Sequence, residues 1–435
     1  MSLLLGIDFG TSYFKLGLFD RAGTLRGLGR VAVPKQTPAP ERCELLVADF
    51  WRLLREGLAE AMAQAGVDAR AIIGVSYSSQ ANTFVLLDEA DREITPLIVW
   101  SDRRAHPLDA DLAAFGAAAE FGRATGMGGM VPELVSAKCR WFSRHEPNLW
   151  ARAHRVLTIS DYFTYRLTDE LNGDASTAAL TGYYDLRSRA WWPAALERFG
   201  IRPEMLAHPL PPGAKAGRTT ARAGELLGLP ADIPFAVGAL DHHAAALGSG
   251  LGEVAEASLS TGTVLAALVL VDKIEPASGC IHGPHVDDTR YYRLAFDPAG
   301  AGQVEAYQRQ HAPGLTVEEL LRQASESPLG HGAAVRALLR KIAATQRDLL
   351  SRITGGSTVC RVTATGGGAR SPFWLQVTAD IIGRPVVAVA SPERACLGAA
   401  MMASVAAGIW PDIPTAAKRM LKPPREFLPQ ENAAT

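Results

Sequence analysis

The stretch "LLLGIDFGTSYFKLGLFD", residues 3–20, reads as two apolar strands joined by a tight turn. Leu3, Leu4, Leu5 and Ile7 form the first run, and Leu16, Leu18 and Phe19 the second. Asp8 stands inside the first run and is followed by Gly10, Thr11 and Ser12. Burying a polar group without a partner costs ~2–7 kcal/mol, and more when it is charged. Asp8 therefore needs a partner. Two are compatible with its position: its own turn, which a short carboxylate can cap, or a ligand held at that turn.

An offset of 252 positions lays "GIDFGTSYFKLGLFD" over "SLSTGTVLAALVLVD", with Gly10-Thr11 on Gly262-Thr263 and Asp20 on Asp272. More of the plan repeats. Residues 49–66, "DFWRLLREGLAEAMAQAG", place Phe50, Leu53, Leu54, Leu58, Ala61, Met62 and Ala65 on one helical face. Asp49 is expected as its N-cap and Gly66 as its stop. The strand "AIIGVSYSS" follows; in the second half "AAVRALLRKIAATQRDLLSRITGG" likewise precedes "VCRVTATGGG". The expectation is two α/β domains of related plan, with mixed sheets, flanking a cleft. "HPLPPGAKAG" at 208–217 reads as a loop shortly before the boundary, which is set at 1–246 and 247–435.

Bulk composition narrows the class. The chain has 435 residues, 48% hydrophobic and 20% charged, with a net charge of −1 and charges of both signs interspersed. No basic stripe marks a nucleic-acid partner. Five scattered cysteines make no disulfide framework and suit a reducing cytoplasm. The N-terminus does not read as a signal peptide. Ala395–Trp410, the longest uncharged stretch, is too short to span a bilayer and reads as a buried helix.

Several motifs carry chemistry. Two Gly-Thr turns suit a phosphate clamp, because backbone N–H groups there make anion-binding concavities. Thr11, Ser12 and Thr263 add hydroxyls and Lys15 a positive charge. Asp8 then suits a hydrated Mg²⁺ held against those phosphates, or else the cap of an ordinary hairpin. In "TATGGGARSPFWLQVTADIIGRPVVAV", residues 363–389, a strand runs into Gly366-Gly367-Gly368 and a helix starts near Ser371-Pro372. Glycines there either admit an adenosine against the main chain or make a simple tight turn. Asp241, in "IPFAVGALDHHAAALGSG", follows a predicted strand and opens a small-residue helix. It reads as a general base beside the cleft or as an N-cap. No GxxxxGK[ST] and no GxGxxG opening a helix is present. Cys280, His282 and His285 in "GCIHGPH" read as a loop rather than a metal site, and His242-His243 as substrate-side or packing residues. Trp191-Trp192 read as the anchor of a helix start.

"GIDFGTS", "GALDHHAAALGSG", "SLSTGTV" and "TGGGARSPFWLQVTADIIGRPV" with "CLGAAMMASVAAG", in this order, resemble the FGGY family of carbohydrate kinases, from residue 3 to about 410. That family shares the ribonuclease H-like fold of actin, hexokinase and the heat-shock chaperone ATPases. "QANTFVLLD" and "PLIVWSDRR" are most similar to xylulokinases. The resemblance implies Asp8 as the metal-linked acid, with Gly10, Thr11, Ser12 and Lys15 near the transferred phosphate. It implies Gly262 and Thr263 on phosphates, Gly367, Gly368 and Ala369 along adenosine, and Asp241 as catalytic base. Gln80, Asn82, Trp100, Asp102 and His242 would contact the sugar. The expected activity is ATP- and Mg²⁺-dependent phosphorylation of a small ketose or polyol in the cytoplasm, without nucleic-acid or membrane partners and with a homodimer left open. The alternative is a binding relative with little or no phosphoryl transfer.

The chain departs from the family at three places. Ala81-Asn82-Thr83 stands where xylulokinases have Met-His-Gly. Val135 stands where the signature ahead of "KCRWFSRHEP" has Pro, Ser or Thr. The segment between "DPAGAGQVEAYQRQH" and "GHGAAVRALLRK" is shorter than the family's by several dozen residues, so the C-terminal domain reads as shortened.

Overall fold

The computed structural model describes every residue except 263, 276–278, 288, 298–299, 301, 356–358, 392 and 431–435. The described chain forms two compact units. The first comprises Met1–Ala244, Val271–Tyr292 and Ala395–Met420; the second comprises Ala245–Leu270, Arg293–Arg394 and Leu421–Thr435.

In the first unit, β1 (Leu3–Phe9) and β2 (Tyr13–Phe19) form the antiparallel hairpin expected of the opening stretch. All of β1 is buried, which accounts for its nearly unbroken apolar run. Gly10 makes the turn. A Cβ there would lie 2.6 Å from the Tyr13 carbonyl oxygen, so no larger residue could reverse the chain this tightly. β3 (Leu25–Ala32) adds antiparallel to β2, and the strand Ile72–Ser79 adds parallel to β1. Pro234–Ala236 and Ala239–Leu240 then pair in parallel with Ile72–Ser79.

The helix α1 (Val47–Ala65) packs its apolar face, including Phe50, Leu54 and Leu58, beneath this sheet. Its start differs from expectation. Leu46 occupies the N-cap without a side-chain bond, and Asp49 lies in the first turn. There it favours the helix dipole and pairs with Arg52 at 2.9 Å. Gly66 ends the helix in the left-handed conformation, as expected. Phe9, Phe14, Phe50, Trp51, Tyr77 and Phe163 build an aromatic core, with Phe9 and Phe163 ring centroids 5.0 Å apart. The 208–217 stretch is not a plain loop. His208–Leu210 pairs with Asn172–Asp174, and Lys215–Arg218 with Pro234–Ala236, because prolines are tolerated on short edge strands. Arg394–Ala406 is a helix buried along most of its length, and none of the described helices is long and apolar enough to cross a membrane.

The second unit repeats the plan. Ala257–Thr261 and Leu265–Val271 form an antiparallel hairpin, and Val362–Gly366 pairs in parallel with the first of them. Val386–Ala388 and Arg425–Phe427 follow outward in the same sheet. The long helix Gly330–Thr354 precedes Val362–Gly366, as α1 precedes Ile72–Ser79.

One buried carboxylate of the first unit gives its stability a pH signature. Asp161 sits in the first turn of the helix Ile159–Thr168 and exchanges capping bonds with Thr158, at 3.2 Å each way. Burial pushes it up to about 7, with a further rise from nearby Asp174. A raised folded value means that its stabilisation is complete below the ordinary value of 3.8 and is lost as pH rises through about 7. Asp161→Asn keeps the acceptor but does not ionise. Thermal melts at about pH 4 and pH 8 should therefore show the variant gaining several degrees on the native chain as pH rises. A pH-independent difference would refute this titration.

Candidate active site

Strand ends assemble the site within the first unit. Asp8 is in register with Ser78 across the parallel pair, and Ser78 with Ala239 on the next strand. Two positions further along these three chains come Gly10, Gln80 and Asp241. Aligned residues of neighbouring strands point to one face, so Asp8 and Ser78 meet. The Ser78 hydroxyl donates to Asp8 Oδ1 at 2.9 Å. Lys15, opposite Asp8 on β2, places Nζ 3.5 Å from Oδ2. Asp8 is thus a buried carboxylate with a hydroxyl and an ammonium beside it. One such carboxylate suits a cation that keeps most of its water, as Mg²⁺ does, rather than a dedicated protein cage. Among the described residues no group of three or more His, Cys, Asp or Glu could hold a metal.

Gln80 and Trp100 join this corner through Thr83. The Gln80 amide nitrogen donates to the Gly10 carbonyl at 3.4 Å, and its Oε1 accepts from the Thr83 hydroxyl at 3.0 Å. The same hydroxyl accepts from the Trp100 backbone N–H at 2.9 Å. The Trp100 indole N–H donates to Thr11 Oγ1 at 2.9 Å, while the residue remains 38% exposed. Asn82 adopts φ 62°, and its Oδ1 accepts from Val135 N–H at 3.0 Å, at the start of the helix Val135–His145. Ser12 is exposed beside Thr11 on the turn between β1 and β2. Beneath these loops Lys138 is fully buried. Burial pushes its ammonium down to about 7, partly opposed by Asp102 and Glu133, while Arg104 adds to the depression.

Asp102 departs from the expected role. It is 0% exposed. Its oxygens accept from Arg104 Nε at 2.8 Å, Arg104 Nη2 at 2.9 Å and Cys43 N–H at 2.7 Å. Arg104 also reaches Glu44 at 2.6 Å. Asp102 is a structural carboxylate with no face for a sugar hydroxyl.

Asp241 opens the helix Asp241–Leu247, and its Oδ1 accepts from His242 N–H at 2.7 Å. Both residues are partly exposed. The turn before them is held from below. Leu240 N–H donates to Ser176 Oγ at 2.8 Å, and Ser176 Oγ donates to buried Asp174 at 2.6 Å. His243 packs inward, 2.8 Å from His285, and desolvation holds it well below the usual histidine range. Cys280–Pro284 is a strand rather than the expected loop, and His282 lies 3.2 Å from the Gly126 carbonyl.

The second unit holds the remaining candidates. Gly366 takes φ 81° at the strand end, where a Cβ would lie 2.5 Å from the Thr261 carbonyl oxygen. Gly367 is exposed, and a Cβ there would meet nothing within 4 Å. Its neighbours Gly368 and Ala369 are buried, so of the three only Gly367 is open to solvent. Ser371 caps the helix Pro372–Ile382. Gly262 is partly exposed in its turn, and Thr263 lies outside the described residues.

Sequence reasoning missed Ser78, Thr83, Lys138, Asp174 and Ser176. Lys138 left a signal: a cation set close to Leu134, Val135, Ala137 and Cys139. "GDAST" left another, an acid followed by two hydroxyl residues.

The model of the FGGY family of carbohydrate kinases, N-terminal domain, matches residues 3–248, and that of its C-terminal domain matches residues 215–407. The chain is 24% identical to an L-xylulose/3-keto-L-gulonate kinase of Escherichia coli, covering 99% of this chain and 93% of that protein. It is 26% identical to an autoinducer-2 kinase of Klebsiella pneumoniae, covering 99% and 90%. A xylulose kinase from Rhodospirillum rubrum superposes with TM-score 0.87 at 25% identity, over 99% of this chain and 95% of that one. A xylulose kinase from Lactobacillus acidophilus gives TM-score 0.87 at 23% identity, over 100% and 95%, and so shares the fold.

The two roles of aspartate are separable by their effect on stability. Asp102→Ala strands the buried Arg104 and should cost ~3–5 kcal/mol. Asp241→Asn, on a partly exposed residue, should stay within about 0.5 kcal/mol of the native chain. Denaturant titration checks both; an Asp102→Ala protein as stable as the native one contradicts the structural role.

Proposed function

Because the chain belongs to the FGGY family of carbohydrate kinases, we propose that it transfers the γ-phosphoryl group of ATP to one hydroxyl of a small ketose, such as a pentulose, or a related polyol. The observation that supports this reading is that Asp8, Gln80 and Asp241 stand at or just past the ends of neighbouring parallel strands, with Gln80 bonded to Gly10 and Trp100 to Thr11 on the turn after the first. Asp241 is assigned the base: it takes the acceptor's hydroxyl proton as the new O–P bond forms and the bond from Pγ to the ADP oxygen breaks. Its Oδ1 is oriented by the His242 N–H, and Ser176 steadies the turn from behind. Trp100 offers an apolar face to a sugar's C–H groups, while Gln80, Asn82 and His242 offer polar partners. Lys15, with the N–H groups and hydroxyls of the Gly10–Ser12 turn, is assigned to the transferred phosphate. Mg²⁺, when bound, would neutralise phosphate charge, with Asp8 as its link to the protein. Gly262, Thr263 and Gly367–Ala369 are assigned to the nucleotide. The acceptor class is supported by relatives named for L-xylulose, 3-keto-L-gulonate, xylulose and autoinducer-2.

A coupled ADP assay over pentuloses, hexuloses and polyols tests the activity; no turnover with any of them rejects it. On the best acceptor, Asp241→Asn should lower kcat by ~10²–10⁴-fold while leaving the KM for ATP nearly intact. Asp8→Asn should slow turnover and move the Mg²⁺ requirement upward. Near-normal turnover in the first variant, or a normal Mg²⁺ curve in the second, reassigns that carboxylate.

Gly367→Val tests the nucleotide assignment without disturbing the fold, since a side chain there meets open space. Calorimetric titration should show weakened ATP binding with acceptor binding retained. Unchanged ATP affinity moves the adenosine elsewhere.

A further inference from the structure

Lys138 is 0% exposed and sits in the first turns of the helix Val135–His145. Both circumstances disfavour a cation. Burial removes its water, and the N-terminal end of a helix carries partial positive charge. A lysine that only filled core space would be better replaced by methionine or leucine. The ammonium, however, is matched proton for proton. Nζ donates to the carbonyls of Asn82 at 3.2 Å, Val99 at 3.0 Å and Trp100 at 3.1 Å.

These carbonyls come from two separate segments, the 80–83 turn and the stretch after Leu97–Ile98. Those segments carry Gln80, Asn82 and Trp100, three of the groups assigned to the acceptor. The same helix takes a second hold on the first segment, through Val135 N–H to Asn82 Oδ1 at 3.0 Å. Thr83 ties the two segments to each other from the other side, accepting from Trp100 N–H at 2.9 Å. Remove the ammonium and the Asn82 and Trp100 carbonyls lose this donor, while the Val99 carbonyl keeps the Asp102 N–H at 2.9 Å. What still ties the segments directly is the Thr83 hydroxyl and, at their strand ends, the antiparallel pairing of Phe84 with Ile98.

We propose that Lys138 is the positioning residue of the acceptor site, its buried ammonium clasping the Asn82 and Trp100 segments so that Gln80 and the indole face stand ready before the sugar arrives. The proposal rests on the kinase reading above. Lys138 touches no substrate; it acts through the backbone of residues that do. Displacement of such groups by about an ångström can cost ~10²-fold in reactions that depend on orientation.

The test compares the native chain with Lys138→Met, which keeps the stem and removes the donors. On the best acceptor found, the KM for acceptor should rise about tenfold or more, within the range that misplaced orienting groups produce. The KM for ATP should stay within about twofold, since no nucleotide group hangs on these carbonyls. Hydrogen exchange followed by mass spectrometry should quicken in peptides spanning 80–83 and 97–102 and stay unchanged in β1 and β2. An acceptor KM equal to the native value, with only the melting temperature lowered, overturns the proposal, because a purely structural lysine would behave that way. If Lys138→Met does not fold, Lys138→Gln, which retains two donors on a shorter stem, is read by the same split between acceptor and ATP. If the native chain phosphorylates no acceptor, the kinase reading fails by itself. Exchange then decides: faster exchange in both segments upholds the clasp, and unchanged exchange overturns it.

Discussion

The hydrogen-bond register of three neighbouring parallel strands is the constraint on which the first unit's site depends. Asp8, Ser78 and Ala239 lie in one row, and this row determines what stands at the strand ends beyond it. Because side chains alternate, a slip of one residue would turn Asp8 to the opposite face and separate it from Ser78 and Lys15. The apolar residues of β1 hold the register. All seven positions are buried, so any slip would also expose core side chains to polar neighbours.

A second layer of polar bonds holds the loops that leave these strands. Asp174 and Ser176 fix the turn before Asp241, and Arg104, Asp102 and Glu44 pin the segment after Trp100. Lys138 and Thr83 hold that segment and the 80–83 turn. Each of these groups is buried or nearly so, where an unmade hydrogen bond costs about 1–3 kcal/mol. Polar groups at this depth limit the loops to few arrangements, because every alternative leaves a donor or acceptor bare. The side chains assigned to chemistry, Asp241, His242 and Trp100, remain partly exposed above this layer.

The plan of the two units was legible before any coordinates. Both Gly-Thr hairpins, the long helix of each half and the strand that follows it were readable from apolar periodicity and from glycines at the turns. Those are local signals, and local signals survive in a linear string. α1 shows where they weaken. Its apolar stripe and Gly66 stop were readable, but its start depends on how the chain arrives from the strand Glu44–Leu45, and Asp49 serves the first turn instead of the cap. The same holds for Cys280–Pro284, which read as part of a loop but whose backbone is extended.

The site was legible in part, and the division has a physical cause. Asp8, Asp102 and Asp241 are one residue type, and motif resemblance assigned chemistry to all three. Only the tertiary structure separates them: Asp102 turns inward to Arg104 and to Cys43, 59 residues away in the chain. Lys138 reads as an ordinary helical lysine until the fold brings Asn82, 56 residues distant, against its ammonium. Strand and helix formation, turn chemistry and family are written in neighbouring residues, because periodicity and backbone sterics act over a few positions. Burial and hydrogen-bond partnership are properties of the packed chain, because they depend on which distant segments exclude water from a given side chain.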